Sequence, residues 1–254
     1  MPEAGPPAPA AAAAPVLSVV MPAFNEERNL ERAVRAACEA AAPLVAGYEV
    51  IVVDDGSRDA TPGLLARLQH ELGPRLRVVR HPRNLGYGAA LRAGFQAARG
   101  EIVFYTDSDN QFDLRELADT LPLLRDHDAV LGYRSERQDP LLRKLVSAGF
   151  NALASLAFRM SVRDLNCSFK LFRRERIQGL PLESNDFFVD TEMVARMHQA
   201  GWRYVQRPVR HYPRREGRST VRASDVPRTF VSLARMWWRL RRERTPAIHR
   251  APAP

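Results

Sequence analysis

Asp107, Asp109, Asn110, Gln111 and Asp113 crowd into one short stretch, FYTDSDNQFD (104–113), directly after an apolar run. Carboxylates this close repel one another unless water separates them or a cation holds them. Side chains alternate along an extended loop, so Asp107, Asp109 and Gln111 are expected on one side. Three oxygen donors with room left for water and phosphate suit Mg²⁺ or Mn²⁺. These ions take one or two carboxylates together with substrate phosphates rather than a complete protein cage. The stretch is not an EF-hand loop, because Phe112 stands where that loop requires Gly and Ala118 where it requires Glu.

The elements that must position these acids show in the hydrophobic pattern. Apolar runs VLSVVM (16–21), EVIVVD (49–54), LRVVR (76–80), EIVFYT (101–106) and AVLGY (129–133) read as strands. Between them, EERNLERAVRAACEAA and GAALRAGFQAARG repeat apolar residues at helical spacing. Alternation of this kind predicts an α/β fold, a mostly parallel central sheet flanked by helices. Ligands of such sheets sit beyond the carboxyl ends of the strands. PAFNEE follows the first strand, DDGSRD the second and TDSDNQFD the fourth, so three polar clusters are expected at one edge. That convergence separates the acids from an ordinary solvated loop. Past residue 140 come LLRKLVSAGFNALASLAFRM, RDLNCSFKLFRRE, a helix-like DTEMVARMHQAG and a strand-like WRYVQRPV, read as the half that receives a second substrate.

Composition sets the outer bounds. At 254 residues and 45% hydrophobic, the chain is large enough for one substantial core. Its net charge of +9 is uneven: residues 201–254 carry 14 Arg against Glu216, Asp225 and Glu243, or +11, while the preceding 200 carry 24 bases and 26 acids, or −2. A basic surface for phosphate or anionic lipid is therefore expected in the C-terminal part. Cys38 and Cys167 have no metal-like or redox-like spacing, which fits a reducing cytoplasm. The sequence has no GxxxxGK[ST] phosphate loop. Gly86-Tyr87-Gly88 does not continue into GxGxxG, since Leu91 holds the sixth position. The six histidines show no paired metal spacing, and His211 is the one placed near candidate site residues. Residues 1–15, rich in Ala and Pro, and 245–254 are expected to be disordered, flanking a domain at 16–222 and an amphipathic helix at 223–244. In that helix Phe230, Leu233, Ala234, Trp237 and Leu240 fall on one face, with Arg235, Arg239 and Arg242 elsewhere. Such a helix either rests on an anionic membrane or packs on the domain.

PAFNE (22–26), DDGSRDAT (54–61), NLGYGAALRAG (84–94) and DSDNQ (107–111) resemble the family 2 glycosyltransferases of GT-A fold. LGYRSERQDPLLRKLVSAGFNAL, VRDLNCSFKLFRRE, FFVDTEMV and PRREGRS are similar to the dolichyl-phosphate mannose synthase branch, which glycosylates polyprenyl phosphates. The resemblance covers about residues 16–222. It implies that Pro22, Phe24, Glu26 and Asp54 hold the base and ribose of a nucleotide-sugar, with Asp55 supporting that turn. It implies further that Asp107, Asp109 and Gln111 bind the divalent ion and donor diphosphate. Arg134, Arg143, Ser147 and Arg214 would gather the acceptor phosphate and steady the leaving diphosphate, and Asp164 and Glu192 match acidic positions near the sugar. Ser219 belongs to the last motif and is followed by Thr220 where the family often has Lys.

The implied reaction moves a hexose, with inversion, from a donor of the GDP-mannose or UDP-glucose type to a polyprenyl phosphate. A divalent ion and arginines placed where charge develops would lower its barrier. A phosphate acceptor is already anionic near neutral pH and needs no base, whereas a saccharide hydroxyl would require one, for which Asp164, Asp190 and Glu192 are the candidates. Many members of the branch carry C-terminal membrane spans, and this sequence shows none, so the expected contact is peripheral, on the cytoplasmic face of a membrane. Nucleic-acid binding through the Arg-rich end is the remaining alternative, and nothing in the first 200 residues favours it.

Overall fold

The computed structural model of the chain describes residues 16–135, 141–214, 216 and 225–242, without the side chains of 141–146, 225–228 and 241. The expected disordered ends and Ser219 lie outside the described residues, as does the side chain of Arg143.

Seven strands, β1 (Leu17–Ala23), β2 (Tyr48–Asp54), β3 (Leu76–Arg80), β4 (Ile102–Thr106), β5 (Ala129–Ser135), β6 (Phe169–Arg173) and β7 (Tyr204–Arg210), form one sheet ordered β3-β2-β1-β4-β6-β5-β7. β6 runs antiparallel to β4 and β5, and every other pairing is parallel. β1, β2 and β4 are buried on both faces, which is why they read as unbroken apolar runs rather than as alternation. One face, carrying Val19, Met21, Val50, Val52 and Phe104, packs on α1 (Leu30–Ala41), α2 (Thr61–Leu72) and α4 (Leu117–Thr120). The other, carrying Val20, Ile51, Val53, Val103 and Tyr105, packs on α3 (Tyr87–Ala97), α5 (Leu141–Phe158), α6 (Arg174–Gln178), α7 (Val189–Gln199) and α8 (Asp225–Arg242). α3 lies against β1 so closely that a Cβ on Gly94 would overlap the Val20 side chain.

The five expected strands are present. β6 does not stand out in the sequence because Lys170, its second residue, and Arg173, its last, leave only three apolar positions. Phe169 and Leu171 face one layer and Phe172 the other, so the alternation of a central strand is intact around the lysine.

The order of strands reverses between β1 and β4, the place where open α/β sheets bind ligands. The β1–β4 ladder ends at Val20↔Tyr105, while β1 and β2 stay paired to Ala23↔Asp54. Pro22, lacking an N–H, offers β4 no ladder donor. The chains leaving β1 and β4 therefore straddle a crevice, with PAFNEE on one side and DSDNQ on the other.

Candidate active site

Hydrogen bonds knit the three polar clusters into one edge. Asn25, held at φ +55°, receives Arg58 N on its Oδ1 (2.8 Å) and donates its own N–H to Ser57 Oγ (2.9 Å). Glu26 N donates to Thr61 Oγ1 and Ala60 N to Glu27 Oε2. The third cluster joins the first where Ser108 Oγ donates to Pro22 O and Asn110 Nδ2 to Asn29 O, each at 2.9 Å. The loop is not extended as the sequence pattern implied: Asn110 has φ +61° and the chain bends there. Gln111 Nε2 donates to Tyr212 O, and its backbone N–H donates to Asp109 Oδ1. Tyr212 N returns a bond to Gln111 O at 2.7 Å, and Phe112 bridges to His211, whose ring meets the Phe112 ring edge-on.

This pairing carries Arg214 into the acidic edge. Its guanidinium is bonded to Glu26 and lies 3.9 Å from Asp109 Oδ2. Burial pushes the Asp109 carboxyl up, with the Arg214 charge opposing. Asp107 is pushed up to about 6, first by burial and then by the Asp109 charge, with Ser168 and Tyr87 hydroxyls opposing. Two desolvated carboxylates, one of them raised further by the charge of the other, form a donor pair for a hard cation. Among the described residues no group of three His, Cys, Asp or Glu could hold a metal ion, so a cation here would take its remaining ligands from phosphate and water.

The DDG turn builds the neighbouring part. Asp54 is fully buried; its Oδ1 accepts from Ser57 N, while its Oδ2 makes no hydrogen bond and lies 3.3 Å from Arg80 Nε. A buried carboxylate oxygen without a hydrogen-bond partner is unusual and marks a place where a ligand N–H or O–H fits. Asp55 accepts from Leu85 N and Gly86 N, each at 2.9 Å, and lies 2.7 Å from His81 Nδ1, which fixes the entrance to α3. Gly86 is required there: its φ is +101° and a Cβ would strike Asn185 O. Beside the turn, a cleft of about 460 Å³ is lined by Gly56, Ser57, Arg58, Arg80, His81 and Arg83, among others. In the sequence each of its arginines looks like a solvated surface charge. Pro22 is buried in β1 and Phe24 half-buried just beyond it, both beside this turn.

Arg134, at the end of β5, lies on the same sheet edge as Asp107, since Thr106↔Phe169 and Leu131↔Lys170 are paired across β6. It forms a two-pronged ion pair with Asp164, Nε–Oδ2 2.7 Å and Nη2–Oδ1 2.9 Å. Ser147 lies half-buried on α5. Glu192 is placed differently from the role the resemblance implies. It is buried in the first turn of α7 and accepts from Glu183 N, Ser184 N and Arg196 Nε. Burial pushes its carboxyl up, but the Ser184, Arg196 and Glu183 donors outweigh that and hold it below the ordinary value. That geometry gives it the task of fastening the 183–184 loop, not of meeting a sugar. Asp190 is likewise committed, to the buried ammonium of Lys170.

Comparison with known proteins agrees with this architecture. Residues 18–180 match the family model "Glycosyl transferase family 2". The chain is 36% identical over 244 residues to glycosyltransferase AglD of Haloferax volcanii, covering 92% of this chain and 39% of that protein. It is 31% identical over 233 residues to dodecaprenyl-phosphate galacturonate synthase of Rhizobium johnstonii, covering 91% and 69%. It is also 31% identical over 193 residues to undecaprenyl-phosphate 4-deoxy-4-formamido-L-arabinose transferase of Sodalis glossinidius, covering 72% and 59%. The chain thus spans well under half the length of AglD and between half and three quarters of the other two. Among solved structures, glucosyl-3-phosphoglycerate synthase of Mycobacterium tuberculosis, crystallised with Mn²⁺, UDP-glucose and glycerol 3-phosphate, superposes with a TM-score of 0.65 at 23% identity, over 89% of this chain and 80% of that one. The fold is accordingly of GT-A type, and the chain belongs to glycosyl transferase family 2.

Proposed function

We propose that the chain transfers a hexose, with inversion, from a nucleotide-sugar of the GDP-mannose or UDP-glucose type to a polyprenyl phosphate, assisted by Mg²⁺ or Mn²⁺. The observation that carries this reading is the pair Asp107 and Asp109, half-buried at the edge where the strand order reverses, with Arg214 beside them. In this reading Asp107 and Asp109 would hold the ion, whose positive charge would offset that of the donor diphosphate. Gln111 fastens the segment that brings Arg214 alongside. The Asp54 Oδ2, which Arg80 pairs but no hydrogen bond satisfies, would receive a donor N–H or O–H of the nucleotide, and the arginine-lined cleft beside it would accommodate the base side.

Two features favour a phosphate acceptor over a hydroxyl. Two of the relatives are named for prenyl-phosphate substrates. The carboxylates that could serve as a base, Asp164, Asp190 and Glu192, are each engaged by a cation in this fold. Phosphate attack needs positioning more than deprotonation, and Arg134 and Arg214 supply cations for it. A peripheral membrane contact through α8 completes the reading. The test is incubation with Mg²⁺ or Mn²⁺, a short-chain polyprenyl phosphate and a panel of labelled nucleotide-sugars, followed by lipid extraction. Label in the organic phase supports the proposal; label confined to a water-soluble saccharide product would replace it with the hydroxyl-acceptor reading.

A further inference from the structure

A chain of buried polar groups runs beneath the acidic edge, and none of its members has a place in the reaction outlined above. Lys170, with no exposed surface, bonds Asp190 Oδ1 at 2.6 Å and the Cys167 carbonyl at 2.5 Å. Its ammonium also sits 5.4 Å from the centre of the Tyr105 ring. The Tyr105 hydroxyl lies 3.4 Å from Asp190 and in short contact with the Tyr87 hydroxyl, which donates to Asp107 Oδ1 at 2.7 Å. Ser168 Oγ stands 3.3 Å from the Tyr87 oxygen. The phenolic protons settle the direction. Tyr87 spends its proton on Asp107, so the contact between the two hydroxyls uses the proton of Tyr105. The Tyr105 hydroxyl also reaches Asp190, whose nearer partner is Lys170.

A buried ion pair is weak evidence for stability, because desolvating two charges offsets most of their attraction; a task in positioning is a better account of it. This one ties β6 to α7 directly under β4, and the two phenols transmit that fixed position to a single oxygen of Asp107. The Tyr87 ring is braced from the other side by Phe187, centroids 4.8 Å apart. We infer that Tyr87 and Tyr105, anchored by Lys170 and Asp190, are positioning residues that aim Asp107 at the divalent ion by occupying its Oδ1. The inference rests on the proposed ion role of Asp107 and Asp109. Partners of ligating carboxylates typically change metal affinity about 10- to 100-fold when removed.

The test is Mn²⁺ titration of the full chain, following the free-ion paramagnetic resonance signal, with and without UDP or GDP, for wild type, Tyr87→Phe, Tyr105→Phe and Asp109→Asn. Each phenylalanine keeps its ring and removes one hydroxyl, and the melting temperature reports on folding. The expected result is a Mn²⁺ dissociation constant raised about 10- to 100-fold in Tyr87→Phe, with a smaller rise in the same direction in Tyr105→Phe. Turnover of Tyr87→Phe should recover when Mn²⁺ is raised by the same factor. A merely structural tyrosine would lower the melting temperature and leave the folded protein's Mn²⁺ affinity unchanged, which overturns the inference. Should Tyr87→Phe fail to fold, Tyr105→Phe decides on the same readout. If wild type binds Mn²⁺ and only Asp109→Asn loses it, the ion reading stands and the positioning role falls. If wild type binds no Mn²⁺, both fall together.

Discussion

Asp107 sits where a proton and a cation compete for the same oxygen pair. Its carboxyl, ordinarily at 3.8, is pushed up to about 6 by burial and by Asp109. A carboxyl raised in the folded state favours folding while protonated, so this contribution is full below about 3.8 and lost as the pH rises through about 6. Above that value the bare carboxylate costs stability, and a divalent ion restores it. Mn²⁺ should therefore raise the melting temperature more at pH 7.5 than at pH 5; an equal gain at both would show that the ion binds elsewhere. Arg134 and Asp164 present a second case at the same scale. With both side chains largely buried, Asp164→Ala removes the two-pronged carboxylate from the Arg134 guanidinium and is expected to cost about 3–5 kcal/mol, a drop in melting temperature on the order of 10 °C. Replacing the pair by Met and Leu should return most of that stability without returning turnover, if Arg134 reads the acceptor phosphate. Activity regained in the double variant would remove Arg134 from the site.

The elements differ in how plainly the sequence announced them. β1, β2 and β4 stand out because both faces are covered, and the acid clusters at their ends point to the candidate site. β6 stayed hidden behind Lys170, whose partner Asp190 is 20 residues away and invisible to local pattern. At Gln111 the limit is different: alternation assumes an extended chain, and Asn110 in the left-handed region breaks it. Glu192 shows the limit of motif transfer, since its position matches while its three donors come from the 183–184 loop and Arg196. α8 sorted its residues differently from the expected single stripe. Leu233, Met236 and Leu240 are buried against the domain, while Phe230, Val231 and Trp238 are exposed, as are Leu153 and Leu156 of α5. Arg235, Arg239 and Arg242 are exposed on the same helix, with Arg242 over the Trp238 ring. No helix among the described residues is long and apolar enough to cross a membrane. An apolar band edged by arginine suits the boundary of an anionic bilayer, with each cation near the surface adding about 1 kcal/mol. Changing Arg235 and Arg242 to Glu should sharply reduce sedimentation with phosphatidylserine vesicles and leave binding of soluble donor intact; undiminished sedimentation would assign α8 to packing alone.

Across the whole molecule, charge and architecture divide the labour of the proposed reaction. The first 200 residues carry −2 and contribute the acid clusters, while residues 201–254 carry +11 and contribute Arg214 and the arginines of α8. The parallel part of the sheet gathers the acid clusters of the donor side at the β1–β4 crevice, and antiparallel β6 joins that part to β5, where Arg134 stands. Everything in this division depends on an ion seated between the Asp107–Asp109 pair and a diphosphate. Anomalous diffraction from crystals grown with Mn²⁺ and UDP or GDP tests that most directly. The expected result is a manganese peak within coordination distance of both carboxylates, with the diphosphate as its other ligand and the base beside Asp54. A nucleotide bound there with no manganese peak, or manganese bound away from Asp109, would contradict it.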